Sequence, residues 1–287
     1  LFRSQDTIFG SKSEAFAFKT LKSNWGDRFD VYPSLPVSSI IQIDENKLTD
    51  KELQFCRKTS VDYTLCQPDN GEPIMSIEFD GIGGGFNADG GYVQIRETDD
   101  PYRKLKMDLK LRLAKEVDYP FIVVSYDEVE RLDEEDCLTI LDGIIGRFLA
   151  NKGFDQRLNE VMDDFKDTLD SCNDSERYMI IQDLILQVEV EMQFANNPIV
   201  QKAYEFRDAC LYAGFIKGHL IEHMGQQTDN EGIRITVKTA RDPIIMGVQV
   251  RRFDLDGVPF WSVAESVAEY LAFKKAYSIM RNEESAN

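Results

Sequence analysis

The chain has 287 residues, 43% hydrophobic and 29% charged, a composition that fits one large globular domain or two smaller ones. Its 51 acidic and 33 basic residues leave a formal net charge of −18. That excludes broad electrostatic adhesion to nucleic acid or an anionic membrane, so any nucleic-acid contact must use a local basic patch.

No apolar run approaches the length of a membrane span, and no basic-then-apolar leader precedes Leu1. Cys56, Cys66, Cys137, Cys172 and Cys210 are scattered, odd in number and without a CxxC pair. This pattern reads as free thiols in a reducing cytoplasm, not as a disulfide framework or a zinc knuckle.

Taken in order, Ser13 is placed to N-cap a first helix that Gly26 stops, with Phe16, Leu21 and Trp25 inward and Glu14 in its first turn. An extended segment broken by Pro33 and Pro36 follows, then a short helix over Asp50 to Lys58. Val61–Cys66 and Pro73–Phe79 are apolar, partly β-branched runs around Gln67-Pro68-Asp69-Asn70-Gly71-Glu72, whose turn residues predict a β-hairpin. Glu78 and Asp80, two apart, leave one face of the second strand, and antiparallel pairing brings Asp62 to the same face. Three converging carboxylates repel one another unless a cation or protons neutralise them, and an all-oxygen set suits Mg²⁺ or Mn²⁺. The competing reading is solvated acids at strand ends. Ile77 and Phe79 on either side, and Gly81 after, favour delivery of charge into a cleft.

The glycine-rich run after Gly81 has Phe86 where a dinucleotide fingerprint needs its third glycine, and it lacks a P-loop's Lys-Ser/Thr ending. A flap beside the carboxylates or a plain hairpin loop is expected. Arg103 to Glu116 alternates like a strand, yet its Leu, Lys, Met, Arg, Ala and Glu are helix formers with no β-branched residue, so a helix is predicted. It places Leu105, Leu109 and Leu113 on one face and carries the densest basic cluster: Arg103, Lys104, Lys106, Lys110 and Arg112. Phe121 to Ser125 is a buried strand.

The character changes at the acidic stretch Asp127 to Asp136, which divides the chain into residues 1–126 and 127–287. Helices are predicted over Thr139–Ala150, Leu158–Leu169, Ser175–Ala195 and Ile199–His223, broken at Asn151-Lys152-Gly153, Ser171–Asp174 and Asn196-Asn197-Pro198. Strands Ile233–Thr239 and Ile244–Phe253 and a helix over Ser262–Arg281 complete the chain. The expected class is α/β: a mixed sheet flanked by helices, then a mostly helical region, then a C-terminal β-hairpin and helix.

His219-Leu220-Ile221-Glu222-His223 matches the HxxEH zinc signature, which on a helix puts both histidines on one face, with Glu265 or Glu269 as a further ligand of a metallopeptidase. A plain pair of helix-end histidines is the preferred reading, because Gly225 ends the segment soon after.

Val61-Asp62-Tyr63, Ile77-Glu78-Phe79-Asp80-Gly81, the basic helix and Pro120-Phe121-Ile122-Val123-Val124 together resemble the PD-(D/E)XK nuclease superfamily, especially its very-short-patch-repair-type endonucleases. Glu14-Ala15-Phe16 and Val31 to Pro36 resemble its opening helix and first extended segment, so the resemblance spans roughly Lys12 to Val129. It implies a restriction-endonuclease-like fold and a Mg²⁺- or Mn²⁺-dependent nuclease acting on DNA rather than RNA. On that resemblance Asp62 and Glu78 bind metal, Asp80 assists, and Glu14 reaches in from the first helix. The family's commonest motif has a lysine where this chain has Asp80. Related branches supply it from the next helix, here Lys106 or Lys110, with Arg103 and Lys104 toward phosphate. The family's usual histidine after Asp-Gly is absent. The second part would serve substrate selection, homodimerisation or docking of a partner protein. The alternative is a catalytically inactive nuclease fold serving as an interaction module.

Overall fold

Turn chemistry sets the first sheet. In the computed structural model, Gly71 takes φ +69°, Asn70 Oδ1 accepts from the Glu72 N–H, and the Gln67 and Glu72 backbones close the loop. The strands it joins, β2 (Ser60–Cys66) and β3 (Pro73–Asp80), pair antiparallel with Tyr63 opposite Ile77. The structure describes residues 9, 12–80, 83–87, 89–94, 97–125, 140–227, 230–239, 242–251, 253, 255 and 257–286. The acidic stretch Asp127 to Asp136 lies outside them. The chain divides into two compact units: residues 1–139 with 227–230 and 251–256, and residues 140–226, 231–250 and 257–287.

The first unit is helix α1 (Lys12–Trp25), β1 (Asp30–Pro36), short helix α2 (Val37–Ile40), α3 (Asp50–Lys58), β2, β3, β4 (Gly83–Phe86), β5 (Tyr92–Gln94), α4 (Arg103–Glu116) and β6 (Phe121–Ser125). Its main sheet has the order β1-β2-β3-β6, antiparallel except for the parallel pair β3–β6. Pro33 lies within β1, the edge strand, where its missing N–H breaks no ladder. Helix α3 starts on a Thr49–Glu52 capping box. The glycine-rich run forms a small antiparallel hairpin, β4–β5, rather than a featureless flap.

Helix α4 spans the predicted residues, and its buried stripe keeps Leu109 and Leu113 of the leucine row but not Leu105. Met107, Lys110, Leu113 and Ala114 are buried along with Leu109, whereas Leu105 is exposed. Met107, Leu109, Leu113 and Ala114 pack with Val37, Ile41, Cys56, Phe121 and Val123 into one apolar cluster. On the sheet's other face α1 is pinned through Tyr63, whose ring stacks on Phe18 and meets Phe79 edge-on while its hydroxyl donates to the Glu14 carbonyl. The helix begins at Lys12, so Ser13 lies inside it.

The second unit comprises helices α5 (Ile140–Asp164), α6 (Lys166–Ser171), α7 (Asp174–Asn196), α8 (Pro198–Tyr212) and α9 (Phe260–Ala286), with a three-stranded sheet β7 (Ile216–Gln227), β8 (Asn230–Thr239), β9 (Ile244–Arg251) in that order. The α/β class, the mixed sheet with flanking helices, the helical middle and the C-terminal β region with its helix are as expected. Two elements differ. Helix α5 runs straight through Asn151-Lys152-Gly153, because Phe154, Leu158 and Val161 continue its apolar contacts with Leu184 and Val188 and outweigh about 1 kcal/mol of glycine propensity. The predicted helix over Ile199–His223 ends at Tyr212, where Gly214 at φ +67° and the Phe215 N–H to Cys210 carbonyl bond form a left-handed cap. The residues beyond it are strand β7, which adds a third strand to the expected hairpin.

Gly146 on α5 packs directly against backbone. A Cβ there would lie 2.6 Å from Asn197 Cα, a backbone atom that no rotamer change can move. Gly146→Ala is therefore expected to destabilise the second unit by about 1–3 kcal/mol despite alanine's better helix propensity, read as a lower thermal midpoint.

Candidate active site

The carboxylates sit at a fork in the sheet. The β2–β3 ladder stops at Tyr63–Ile77, while β2 goes on pairing with β1 as far as Ser60–Pro36 and β3 with β6 as far as Asp80–Ser125. Past Tyr63 the two central strands therefore separate, and Asp62 and Glu78 stand on either side of the opening. Asp62 Oδ2 accepts the Phe79 N–H at 2.7 Å, replacing the backbone partner that the fork removes. A carboxylate in that place both satisfies the buried donor and has its own orientation fixed.

Helix α4 closes the face. Lys110 Nζ lies 2.7 Å from Glu78 Oε1 and 2.8 Å from the Ser60 carbonyl, with only 4% of the lysine exposed. Seven residues earlier on the same side of the helix, Arg103 Nη2 lies 2.9 Å from Oδ1 of the fully buried Asp80. Two acids alternate on the strand, and two cations two turns apart on the helix meet them. Glu78 Oε2 is buried and has no hydrogen-bond partner among the described residues.

Burial pushes the Glu78 carboxyl up to about 7, with the Lys110 ammonium pulling against it and the Asp62 charge adding to it. Burial also raises Asp62, opposed by its bond from the Phe79 N–H and by the Lys110 charge. The Glu14 charge adds to the rise at Asp62, which places the first-turn acid of α1 within electrostatic range of the fork.

The structure thus brings together Asp62, Glu78 and Lys110, with Asp80 and Arg103 beside them and Glu14 at the edge. Lys106 points elsewhere, to Asp100 at 2.7 Å. Lys104 bonds Asp108 and the Tyr92 carbonyl, and Arg112 pairs with Glu52. Of the two lysines left open by the sequence, only Lys110 reaches the carboxylates. Sequence reasoning missed the Ser60 carbonyl and the Phe79 N–H, which are backbone groups without a side-chain signature. It also missed the Asp80–Arg103 pair, which the helix register alone determines.

The HxxEH segment does not form a helical zinc site. In strand β7 residues four apart are separated by about 13 Å, too far for two histidines to share one ion. His219 Nε2 instead lies 3.1 Å from Glu269 Oε1, and the ring meets Phe273 edge-on. The His223 side chain lies outside the described residues.

Among the described residues no group of three or more His, Cys, Asp or Glu side chains is arranged to hold a metal ion. Two carboxylates remain a sufficient protein set for Mg²⁺, which keeps several waters and commonly takes one or two carboxylates plus substrate phosphate oxygens. Asp62 and the free Oε2 of Glu78 fit that requirement. Cys56, Cys66, Cys172 and Cys210 are free thiols, and no helix among the described residues is long and apolar enough to cross a membrane. Comparison with protein-family models, with curated proteins and with solved structures gives no match, so the chemistry of this fork carries the functional argument.

Proposed function

We propose that the first unit is a Mg²⁺- or Mn²⁺-dependent nuclease that hydrolyses phosphodiester bonds, in DNA in preference to RNA. The observation that carries this reading is the fork: Asp62 and Glu78 flank the point where β2 and β3 part, and a buried lysine is hydrogen-bonded to Glu78. Asp62 and Glu78 would hold the ion, and a metal there lowers the pKa of its bound water and offsets phosphate charge.

The chain's own residues do the rest. The Phe79 N–H locks the Asp62 carboxylate in one orientation, and the Ser60 carbonyl holds Lys110 from a second direction. The ammonium of Lys110 is thereby placed to orient a water or phosphate oxygen beside Glu78. Positioning of this kind supplies most of what an in-line phosphoryl displacement requires. With a net charge of −18, a polyanion would have to dock on local cations, and of those on α4 Arg103 and Lys110 are the two beside the carboxylates.

Glu78→Gln keeps the shape of the side chain and an acceptor for Lys110 while removing the charge. It is expected to lower divalent-dependent cleavage of a labelled DNA duplex at least 100-fold, with a retained cooperative unfolding transition as the check on folding. Cleavage at the wild-type rate would eliminate the proposal.

One observation favours a second reading. Lys110 already neutralises Glu78, so the fork has no need of a metal to balance that acid. On that reading the unit is an inactive nuclease-like fold that docks a partner protein. Titration calorimetry with Mn²⁺ separates the two: heat at millimolar metal that disappears in Asp62→Asn supports the nuclease, and no heat supports the docking module.

A further inference from the structure

We infer that Arg103, held in place by Asp80, is the seat for a substrate phosphate oxygen, and that Asp80 is a positioning residue rather than a metal ligand. The inference rests on the nuclease reading and assigns the substrate contact at that same site.

Asp80 is fully buried, and its Oδ1 takes the Arg103 Nη2 at 2.9 Å. Among the described residues that is the one hydrogen bond of the guanidinium. The Nε–H at the other side is buried and has no acceptor among the described residues. A buried donor of this kind carries a desolvation cost that a ligand acceptor would relieve. The Arg103 side chain as a whole is 35% exposed, whereas that of Asp80 is not exposed at all.

Its location is the fork. The Arg103 charge lowers the pKa of both Asp62 and Glu78, so the cation lies within electrostatic range of both proposed metal ligands. A phosphate held there would place one oxygen on the Arg103 guanidinium, beside Asp62 and Glu78, the residues that would hold the ion. Guanidinium matches phosphate geometry better than ammonium does, because its N–H donors lie in one plane. Lys104, the other cation expected to meet phosphate, is already held by Asp108 and by the Tyr92 carbonyl.

Asp80 stands two residues after Glu78, in the position where a cation would otherwise arise from the strand itself. Here the strand supplies an acid, and the acid holds a cation contributed by the helix.

The test is the affinity of a labelled 20-nucleotide single-stranded DNA in EDTA, measured across a potassium chloride series so that no cleavage intervenes. Arg103→Met is expected to weaken binding about tenfold and to reduce the slope of log K against log salt by about 0.7, the value for one lost phosphate contact on a single strand. Arg103→Lys retains the pair with Asp80 and the charge but lacks Nε. It should keep the slope and still lose affinity severalfold, and it serves if the methionine variant fails to fold. Lys104→Met should change neither quantity. Asp80→Asn should weaken DNA binding about threefold while leaving the Mn²⁺ dissociation constant within twofold of wild type.

Wild-type affinity and slope in both Arg103 variants, with the wild type still cleaving DNA, would overturn this inference alone. Loss of Mn²⁺ binding in Asp80→Asn would restore Asp80 as a ligand and overturn its positioning role. If the wild type neither binds nor cleaves DNA, the inference falls together with the nuclease reading.

Discussion

Lys110→Met is expected to destabilise the first unit by about 3 kcal/mol at pH 8, seen as a drop of about 10 °C in its thermal midpoint. Methionine retains most of the aliphatic stem that packs beside Met107 and Leu113, so the loss isolates the charge. What remains is a Glu78 carboxylate in the sheet core with neither oxygen paired by a side chain. The carboxyl then takes up a proton instead of staying charged, which limits the cost. Removing Glu78 with Lys110 left in place, as in Glu78→Leu, should cost a similar amount, because an ammonium with 4% exposure keeps only the Ser60 carbonyl.

The double variant Glu78→Leu/Lys110→Met separates fold from function. Buried ion pairs replaced by apolar side chains of similar volume are often neutral or stabilising, since the desolvation of both charges is avoided. The double variant should therefore recover to within about 1 kcal/mol of wild type while remaining inactive. Each single change adding independently, to a loss of about 6 kcal/mol, would show that the two side chains do not act as a pair. Recovery would mean that the sheet does not need these charges for its stability, which leaves the proposed chemistry of the fork as their role.

Local chemistry explains how much of this was legible in the sequence. The hairpin could be read because Asn70-Gly71 tolerates the required turn and the flanking runs are apolar. Helix α4 could be read because propensity outweighed a strand-like alternation of leucines. Its orientation could not, since the leucine row suggests that Leu105 faces inward, whereas the buried stripe is completed by a lysine and an alanine. A lysine in a core stripe looks like an error until its acid is known, and that acid is 32 residues away in sequence. This is why Lys106 and Lys110 stayed equivalent on sequence grounds. The opposite failure occurred at β7, where helical spacing of two histidines outweighed Gly214, the cap residue that ends α8. The break expected at Asn151-Lys152-Gly153 failed for a tertiary reason, the contacts of Phe154 and Leu158 with α7.

The buried acid also makes the first unit more stable as the pH falls from 8 to about 5.5. Glu78 titrates near 7 in the folded chain against 4.5 as an ordinary side chain, so between those values the folded state binds more protons than the unfolded state. Stability therefore falls as pH rises through that window and levels off above 7. From pH 8 to 5.5 the gain attributable to Glu78 is about 2 kcal/mol. Asp62, raised in the same direction by burial, adds to it. In the second unit Glu269, pushed up to about 7 by burial and by the Glu265 charge, acts in the same sense. His219, lowered by burial, acts against it below its ordinary value, because a histidine held neutral must be charged. The two units should accordingly differ in pH response. Trp25 is buried in α1, and Trp261 lies on α9, so in Trp261→Phe the fluorescence of Trp25 reports the first unit alone. Urea unfolding of that variant should show the midpoint rising on acidification from pH 8 to 5.5, and adding Glu78→Gln should flatten most of the rise. A midpoint that falls over this range, or a rise that Glu78→Gln leaves intact, would mean that Glu78 is not the buried acid that governs this unit.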